Sequence, residues 1–368
     1  MKYYIIAGER SGDLHAGNLI HEIKKLDPKA SFRGMGGDYA IKEGLSIAAH
    51  YDKVALMGFL EVVLGFRKVL KYLSLIKKDL LAYHPDALIL VDYGGFNMKI
   101  AKFAKANGIT VHYFIPPKVW AWNQKRAYKL KETVDHIYSI LPFEKAFFAG
   151  FGMDIHYVGN PLLDEIAKFK HHDFFHQKNA LNYQPIIALL PGSRKQEVRN
   201  MLSTMVGVIP QFPNAQFVIA GVANLEAKLY QPALDLGVKI VFDQTYDLLH
   251  HATAAVVTSG TATLETALFR VPQVVVYKTS WMSYAIARKL IKVTFISLVN
   301  LIAGKEVVKE LIQDDMSVEK VSLELNTILT STLRKAEIFD GYTEIKEKIG
   351  EKMASEETAR LIAIGMKK

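Results

Sequence analysis

Short apolar runs recur along the chain, and most of them lead through a loop of small or polar residues into a stretch with helical spacing. Residues 3–7, 31–35, 87–91, 110–115 and 136–140 have this form in the first half. Residues 186–190, 216–220, 239–242, 254–258 and 273–276 repeat it in the second. Runs such as ALILV at 87–91 and IIALL at 186–190 are apolar throughout rather than alternating, which is what a strand covered on both faces requires. Helical spacing at 14–26, 66–83, 99–107 and 144–151 separates several of the early runs, and the chain beyond 317 is helical and charged to its end. Strand and helix in alternation predict an α/β protein with parallel sheets. No internal repeat of solenoid period is present.

The alternation lapses once, in the polar, histidine-rich stretch at 166–182. Two α/β halves, 1–165 and 183–344, joined by a linker at 166–182 are therefore expected. His171, His172 and His176 fall in that stretch without a carboxylate motif at metal-ligand spacing, and no metal site is expected there.

Composition narrows the function classes. The chain has 368 residues, 50% hydrophobic and 23% charged, enough for two separately cored domains and unlike a disordered chain. With no cysteine there is no disulfide framework and no thiolate chemistry, a composition that suits the cytoplasm. Acidic and basic residues follow the first strand too soon for a signal-peptide core, and no apolar run is long enough for a spanning helix. The net charge of +9 leaves nucleic acid, an anionic membrane surface or a phosphorylated substrate as partners. No nucleic-acid module accompanies the charge. Around 59–76, Phe59, Leu60, Val63, Leu64 and Phe66 are followed by Arg67, Lys68 and Lys71. On pattern alone the first reading is a core helix with a solvated lysine face, and the second a membrane-surface segment.

Four strand-to-helix loops carry candidate chemistry. Gly192, Ser193 and Arg194 follow 186–190 and combine close backbone approach, a helix N-terminus and a permanent cation, the parts needed to hold a diphosphate. Ser193 and Gln196 also read as a capping box, which accounts for those two residues but not for Arg194. Ser259, Gly260 and Thr261 follow 254–258, with Glu265 in the next turns. That acid either complements the helix dipole or accepts the hydroxyls of a ribose. Asp92 ends the run 87–91 before Gly94 and Gly95, where a doubly wound sheet keeps its crevice. It is a general-base candidate, and helix capping is the alternative. The opening run leads into Gly8, Glu9, Arg10, Ser11, Gly12 and Asp13. Glycine loops opening both halves predict a site in the cleft between them.

Taken together, GERSGD at 8–13, VWAWNQKR at 119–126, LPFEKAFF at 141–148, LLPGSR at 189–194, SGTATLE at 259–265 and SLVNLIAGKEVVKELIQ at 297–313 resemble the lipid-A-disaccharide synthase family over nearly the whole chain. The resemblance implies a GT-B architecture, two facing Rossmann-like domains, with the last helix (about 345–368) packing back on the first. It implies an inverting glycosyltransferase that needs no cofactor or metal. The reaction moves 2,3-diacylglucosamine from UDP to the 6-hydroxyl of 2,3-diacylglucosamine 1-phosphate. The products are lipid A disaccharide 1-phosphate and UDP. Asp92 inherits the base role, Arg194 and the two loops the donor diphosphate, Glu265 the ribose. Glu9, Ser11, Gly12 and Asp13 fall to the acceptor side, as do Asn300 and Gln313 without a defined role. Acylated substrates imply work at the cytoplasmic face of the inner membrane, which favours the membrane reading of 59–71. Three positions depart from the usual pattern: Gly95 stands for a second Asp, Asn123 for an Arg and Asn160 for a His. A UDP-sugar 2-epimerase of similar architecture and a basic nucleic-acid-binding protein are the alternatives.

Overall fold

Fully apolar strands need cover on both faces, and the helices between them supply it. A computed structural model of the chain describes residues 1–53, 59–223, 225–281, 284–285, 288 and 293–366, with side chains outside 59–67. Two compact units result: residues 1–167 with 349–368, and residues 168–348.

In the first unit, β1 (Lys2–Ala7), β2 (Ser31–Gly36), β3 (Leu45–His50), β4 (Ala87–Val91), β5 (Thr110–Phe114), β6 (His136–Ser139) and β7 (His156–Tyr157) form one parallel sheet. Its order is β3-β2-β1-β4-β5-β6-β7. The chain builds outward from β1 in one direction, then returns to pair β4 on the other side of β1. Their register, Ala7 opposite Val91, sets the loop at Gly8 beside the loop at Asp92. That is a topological switch point, where open α/β sheets leave a crevice at the strand C-termini. Successive residues of each strand enter different cores. Tyr4, Ile6, Leu88 and Leu90 face one helix layer, and Tyr3, Ile5, Ala7, Ile89 and Val91 the other.

The helix Phe59–Tyr83 contributes Leu73, Ile76 and Leu80 to the first core, at the three- and four-residue spacing of a buried stripe. Its C-terminal half is thus a core helix. The side chains of Phe59, Leu60, Val63, Leu64, Phe66 and Arg67 lie outside the described residues, while Lys68 and Lys71 are exposed. The last helix, Ala354–Gly365, places Ala354, Ala359 and Ile362 in the second core. Asp164 caps it, accepting the backbone N–H groups of Ala354 and Ser355 at 2.8 and 3.0 Å.

The second unit repeats the plan with β8 (Ile186–Leu190), β9 (Gln216–Gly221), β10 (Lys239–Phe242), β11 (Ala252–Thr258), β12 (Gln273–Tyr277) and β13 (Glu310–Ile312). The order is β10-β9-β8-β11-β12-β13, again parallel, so the switch point falls between β8 and β11. The loops at Gly192 and Gly260 leave the sheet there. Residues 168–182, expected as a linker from their polarity, fold instead with this unit. Phe175 is fully buried in its core and stacks on His251 at 5.1 Å, and the His172 backbone N–H donates to Asp247. One apolar anchor outweighs a polar neighbourhood. The nearby histidines pair with rings and acids: His171 stacks on His250 and bonds Asp173, and His176 meets His251 edge-on. Among the described residues no group of three or more potential metal ligands gathers, and no helix is long and apolar enough to cross a membrane.

Candidate active site

At the first switch point two carboxyls meet. Asp92 follows β4 with φ +47° and Tyr93 with φ +50°, a left-handed pair that turns the chain sharply into the helix Gly94–Ala106. The strain is held by neighbours. The Asp92 N–H donates to the Phe114 carbonyl, and its own carbonyl accepts from Asn97 Nδ2 at 2.7 Å and Tyr113 OH at 2.8 Å. Gly8 is required opposite, because a Cβ there would lie 2.0 Å from the Tyr93 ring.

With the backbone fixed, the Asp92 carboxyl shares a hydrogen bond with Glu9. Burial first, and then the Glu9 charge, push the Asp92 carboxyl up to about 6; the Lys118 ammonium and the Tyr93 N–H pull the other way. A half-buried carboxyl titrating near neutrality can take up a proton at physiological pH. Ser11 Oγ donates to Glu9 Oε1 at 3.2 Å. Gly12 faces the end of β4: a Cβ there would stand 3.6 Å from the Val91 carbonyl and 3.9 Å from Asp92 Cβ, in ordinary contact.

Asp13 does not join them. Its carboxylate is fully buried and accepts three backbone N–H groups, from Gly37 at 2.6 Å, Tyr39 at 3.0 Å and Ala40 at 3.3 Å. Its lone pairs are spent on the turn into the helix Asp38–Lys42, so the expectation of a cleft residue is corrected to a capping one.

At the second switch point the parts are donors and a cation. Gly192, φ +107°, makes room for Glu197, whose carboxylate would lie 2.5 Å from a Cβ there. Glu197 Oε2 accepts the backbone N–H of Ser193 at 2.9 Å and of Arg194 at 3.1 Å. The helix Lys195–Gly207 therefore starts after Arg194 and is closed by Glu197, not by the pairing of Ser193 with Gln196. The Arg194 side chain is 77% exposed, and among the described residues its ion-pair partner is Glu197 at 3.5 Å.

Gly260 stands in open space before the helix Thr261–Leu268, and Thr261 is exposed at its start. Ser259 is committed elsewhere, its Oγ donating to the Ile296 carbonyl at 2.8 Å. Glu265 Oε1 accepts from Tyr246 OH at 3.1 Å, while Oε2 has no partner among the described residues. Burial holds its carboxyl above the ordinary value, opposed by the Tyr246 bond.

Asn300 is corrected too. It is fully buried, its Oδ1 accepts from the Val307 and Val308 N–H groups, and its Nδ2 donates to the Val308 carbonyl and to Glu310. Every polar atom is used inside the unit, leaving none for an acceptor. Gln313 sits at the end of β13 with φ +57° and accepts the Thr279 N–H at 3.1 Å, tying that edge to the β12 loop. Asn160 caps the helix Pro161–Lys168 through the Leu162 N–H.

Two residues escaped the sequence reading. Glu197 had a signal in its place three residues after Arg194, the acid of a capping box. Glu144 stood inside LPFEKAFF, but nothing in the sequence showed that it is 1% exposed and bonded to Trp120 Nε1 at 2.9 Å and the Leu141 N–H at 3.2 Å. Burial first of all pushes its carboxyl up to about 7.

Residues 3–363 match the family described as Lipid-A-disaccharide synthetase. The lipid-A-disaccharide synthase of Syntrophotalea carbinolica is 35% identical over 98% of this chain and 94% of that protein. That of Syntrophus aciditrophicus is 37% identical over 99% and 97%. Among solved structures, a putative UDP-N-acetylglucosamine 2-epimerase from Listeria monocytogenes superposes with TM-score 0.67 at 14% identity, covering 100% of this chain and 96% of that one. The calicheamicin glycosyltransferase CalG4 does so with TM-score 0.65 at 12% identity, over 100% and 98%. At such identities the structures speak for the fold alone, two Rossmann-like domains as in GT-B glycosyltransferases. Neither the epimerase nor the nucleic-acid alternative is favoured. With one family matched across both switch points and relatives above 30% identity along nearly the full length, the chain belongs to the lipid-A-disaccharide synthase family of glycosyltransferases.

Proposed function

We propose that this protein transfers 2,3-diacylglucosamine from UDP-2,3-diacylglucosamine to the 6-hydroxyl of 2,3-diacylglucosamine 1-phosphate. The observation that carries the reading is the raised, half-buried Asp92 carboxyl at the β4 switch point, in a chain that matches this family from 3 to 363. The step is an in-line displacement. The 6-oxygen attacks the anomeric carbon of the donor as the bond to UDP breaks. Configuration inverts, and Asp92 takes the hydroxyl proton. Negative charge grows on the departing diphosphate. The Arg194 guanidinium and the backbone around Gly260 and Thr261 stabilise it, the Ser193 N–H being already held by Glu197, and Glu265 accepts a ribose hydroxyl through its uncommitted Oε2.

The test is incubation with both lipids while UDP release and lipid mass are followed together. Equimolar UDP and disaccharide 1-phosphate are expected. UDP release without the disaccharide would overturn the reading.

Both lipids lie in a bilayer, and the protein meets them from the cytoplasmic side of the inner membrane. Phe59, Leu60, Val63, Leu64 and Phe66 supply the apolar contact, and Arg67, Lys68 and Lys71 meet anionic headgroups at about 1 kcal/mol each. Reversible attachment follows from terms of this size. Wild type should sediment with anionic vesicles and be released by high salt. A folded variant with Phe59, Leu64 and Phe66 changed to Ser should stay in solution, and its pelleting like wild type would remove this segment from the contact.

A further inference from the structure

The first switch point has an electrostatic problem. Glu9 and Asp92 are hydrogen-bonded to each other, and the buried Glu144 is a third acid near the same strand ends. The acceptor in the proposed reaction carries a phosphate one sugar ring from the hydroxyl that Asp92 must reach. Carboxylates repel a phosphate, so a fixed cation has to stand among them.

Lys118 is in that position. It follows Pro116 and Pro117 at the end of β5, the strand paired with β4. Pro117 lies against Gly94, where a Cβ would come within 2.6 Å of it, so the loop after β5 is packed on the loop that carries Asp92. On the far side of Lys118, Trp120 is buried, donates to Glu144 and packs edge-on against Phe143 at 4.9 Å. The backbone is anchored on both sides and the lysine side chain is exposed between the anchors. Its charge acts on Asp92 and on Glu144 alike. Yet among the described residues Lys118 makes no hydrogen bond or ion pair of its own through its side chain. The nearby Arg126, by contrast, is stacked over Trp122 at 5.3 Å. Gly95 adds room, since nothing lies within 4 Å of where its Cβ would be.

We propose that Lys118 receives the phosphate of the acceptor and makes this site select a phosphorylated sugar over an unphosphorylated one. The inference rests on the proposed transfer reaction and adds the group that recognises the acceptor's anionic end. The anchored loop brings the lysine beside Asp92, and once the ammonium pairs with the phosphate that contact also sets which hydroxyl meets the base.

The experiment compares wild type, Lys118→Met and Lys118→Arg on two acceptors, 2,3-diacylglucosamine 1-phosphate and the same sugar without phosphate. Lys118→Met should raise KM for the phosphorylated acceptor about ten- to a hundredfold, the scale of one charge-assisted contact, and leave the donor KM unchanged. Its preference for the phosphorylated acceptor should fall by the same factor, and Lys118→Arg should restore most of it. An equal loss on both acceptors would overturn the proposal. So would an unchanged acceptor preference with a shifted acid limb of the pH profile, which would make Lys118 only a counter-ion of Asp92. Absence of any transfer by wild type is a different result and would instead remove the reaction itself.

Discussion

The two switch points are built from the same parts and carry opposite electrostatics. Each sets a loop after the first strand of its sheet beside the loop after the fourth. In the first, carboxyls are crowded together: Glu9 bonds Asp92, and burial raises the Asp92 carboxyl to about 6. In the second, no two acids meet among the described residues, and each is bonded to its own framework partner through at least one oxygen. Glu197 closes the helix start and Glu265 is tied to Tyr246, leaving the Arg194 guanidinium exposed. The difference shows what separates a chemical acid from a structural one. Burial raises the Asp13 carboxyl as it does Asp92, but the Asp13 oxygens, like those of Glu197, are committed to backbone N–H groups, whereas Asp92 shares its carboxyl with a second acid, Glu9.

The sharpest way to break this contrast is Asp92→Asn. Turnover should fall by roughly two to four decades with UDP affinity nearly intact, read by steady-state kinetics and UDP titration. The same variant should be more stable at pH 8. Because the folded-state value lies above the ordinary 3.8, ionising Asp92 costs the fold nothing at low pH. The cost grows as pH rises through about 6. Removing it should gain about 1–3 kcal/mol at pH 8 in denaturant melts, and Asn tolerates the positive φ. A variant that is inactive and also less stable would mean that Asp92 holds the loop rather than the proton.

On the other side, Arg194→Ala should cost about 2–4 kcal/mol in transition-state stabilisation. It should leave the unliganded Tm unchanged, since the side chain is mostly in solvent. UDP should no longer protect the variant against heat as it protects wild type. Full protection would take Arg194 away from the diphosphate.

Glu144 offers a smaller, purely energetic test. Its carboxyl, raised to about 7 by burial, must ionise inside the protein as pH rises, so its contribution to stability should decline as pH rises from about 4.5 through about 7. The part due to this residue is about 2–3 kcal/mol, lost between about pH 4.5 and 7, and Glu144→Gln should flatten the pH profile of stability there by that amount. Smallest is Glu9→Gln. Deleting the neighbouring charge should move the acid limb of kcat/KM downward, toward the ordinary carboxylate range. A limb that stays in place would leave burial alone as the cause.

Much of this was legible before any coordinates. Unbroken apolar runs of five, such as 87–91 and 186–190, are too short for helices and read as strands covered on both faces, and alternation with helices makes the sheets parallel. Parallel order in turn puts Asp92, Arg194 and Glu265 at strand C-termini, where such folds keep their sites. Short edge strands were not legible. β3, β7 and β13 are brief or half-polar, and pairing with a neighbour, not local pattern, makes them strands.

The sequence by itself determined which residue types stand at the loops, because strand and helix periods are local properties of the chain. Only the tertiary structure decided which acids remain chemically available. Asp13 and Asp92 look alike in sequence, each an acid in a glycine-bearing loop. One meets three backbone donors from a segment more than twenty residues away, and the other meets Glu9 across a strand pairing. Asn300 and Phe175 were likewise settled by distant partners, the one bonded to the strand edge at Val308 and Glu310, the other stacked on His251. Burial and hydrogen-bond satisfaction depend on residues far apart in the chain, and those distances close only when the sheet forms.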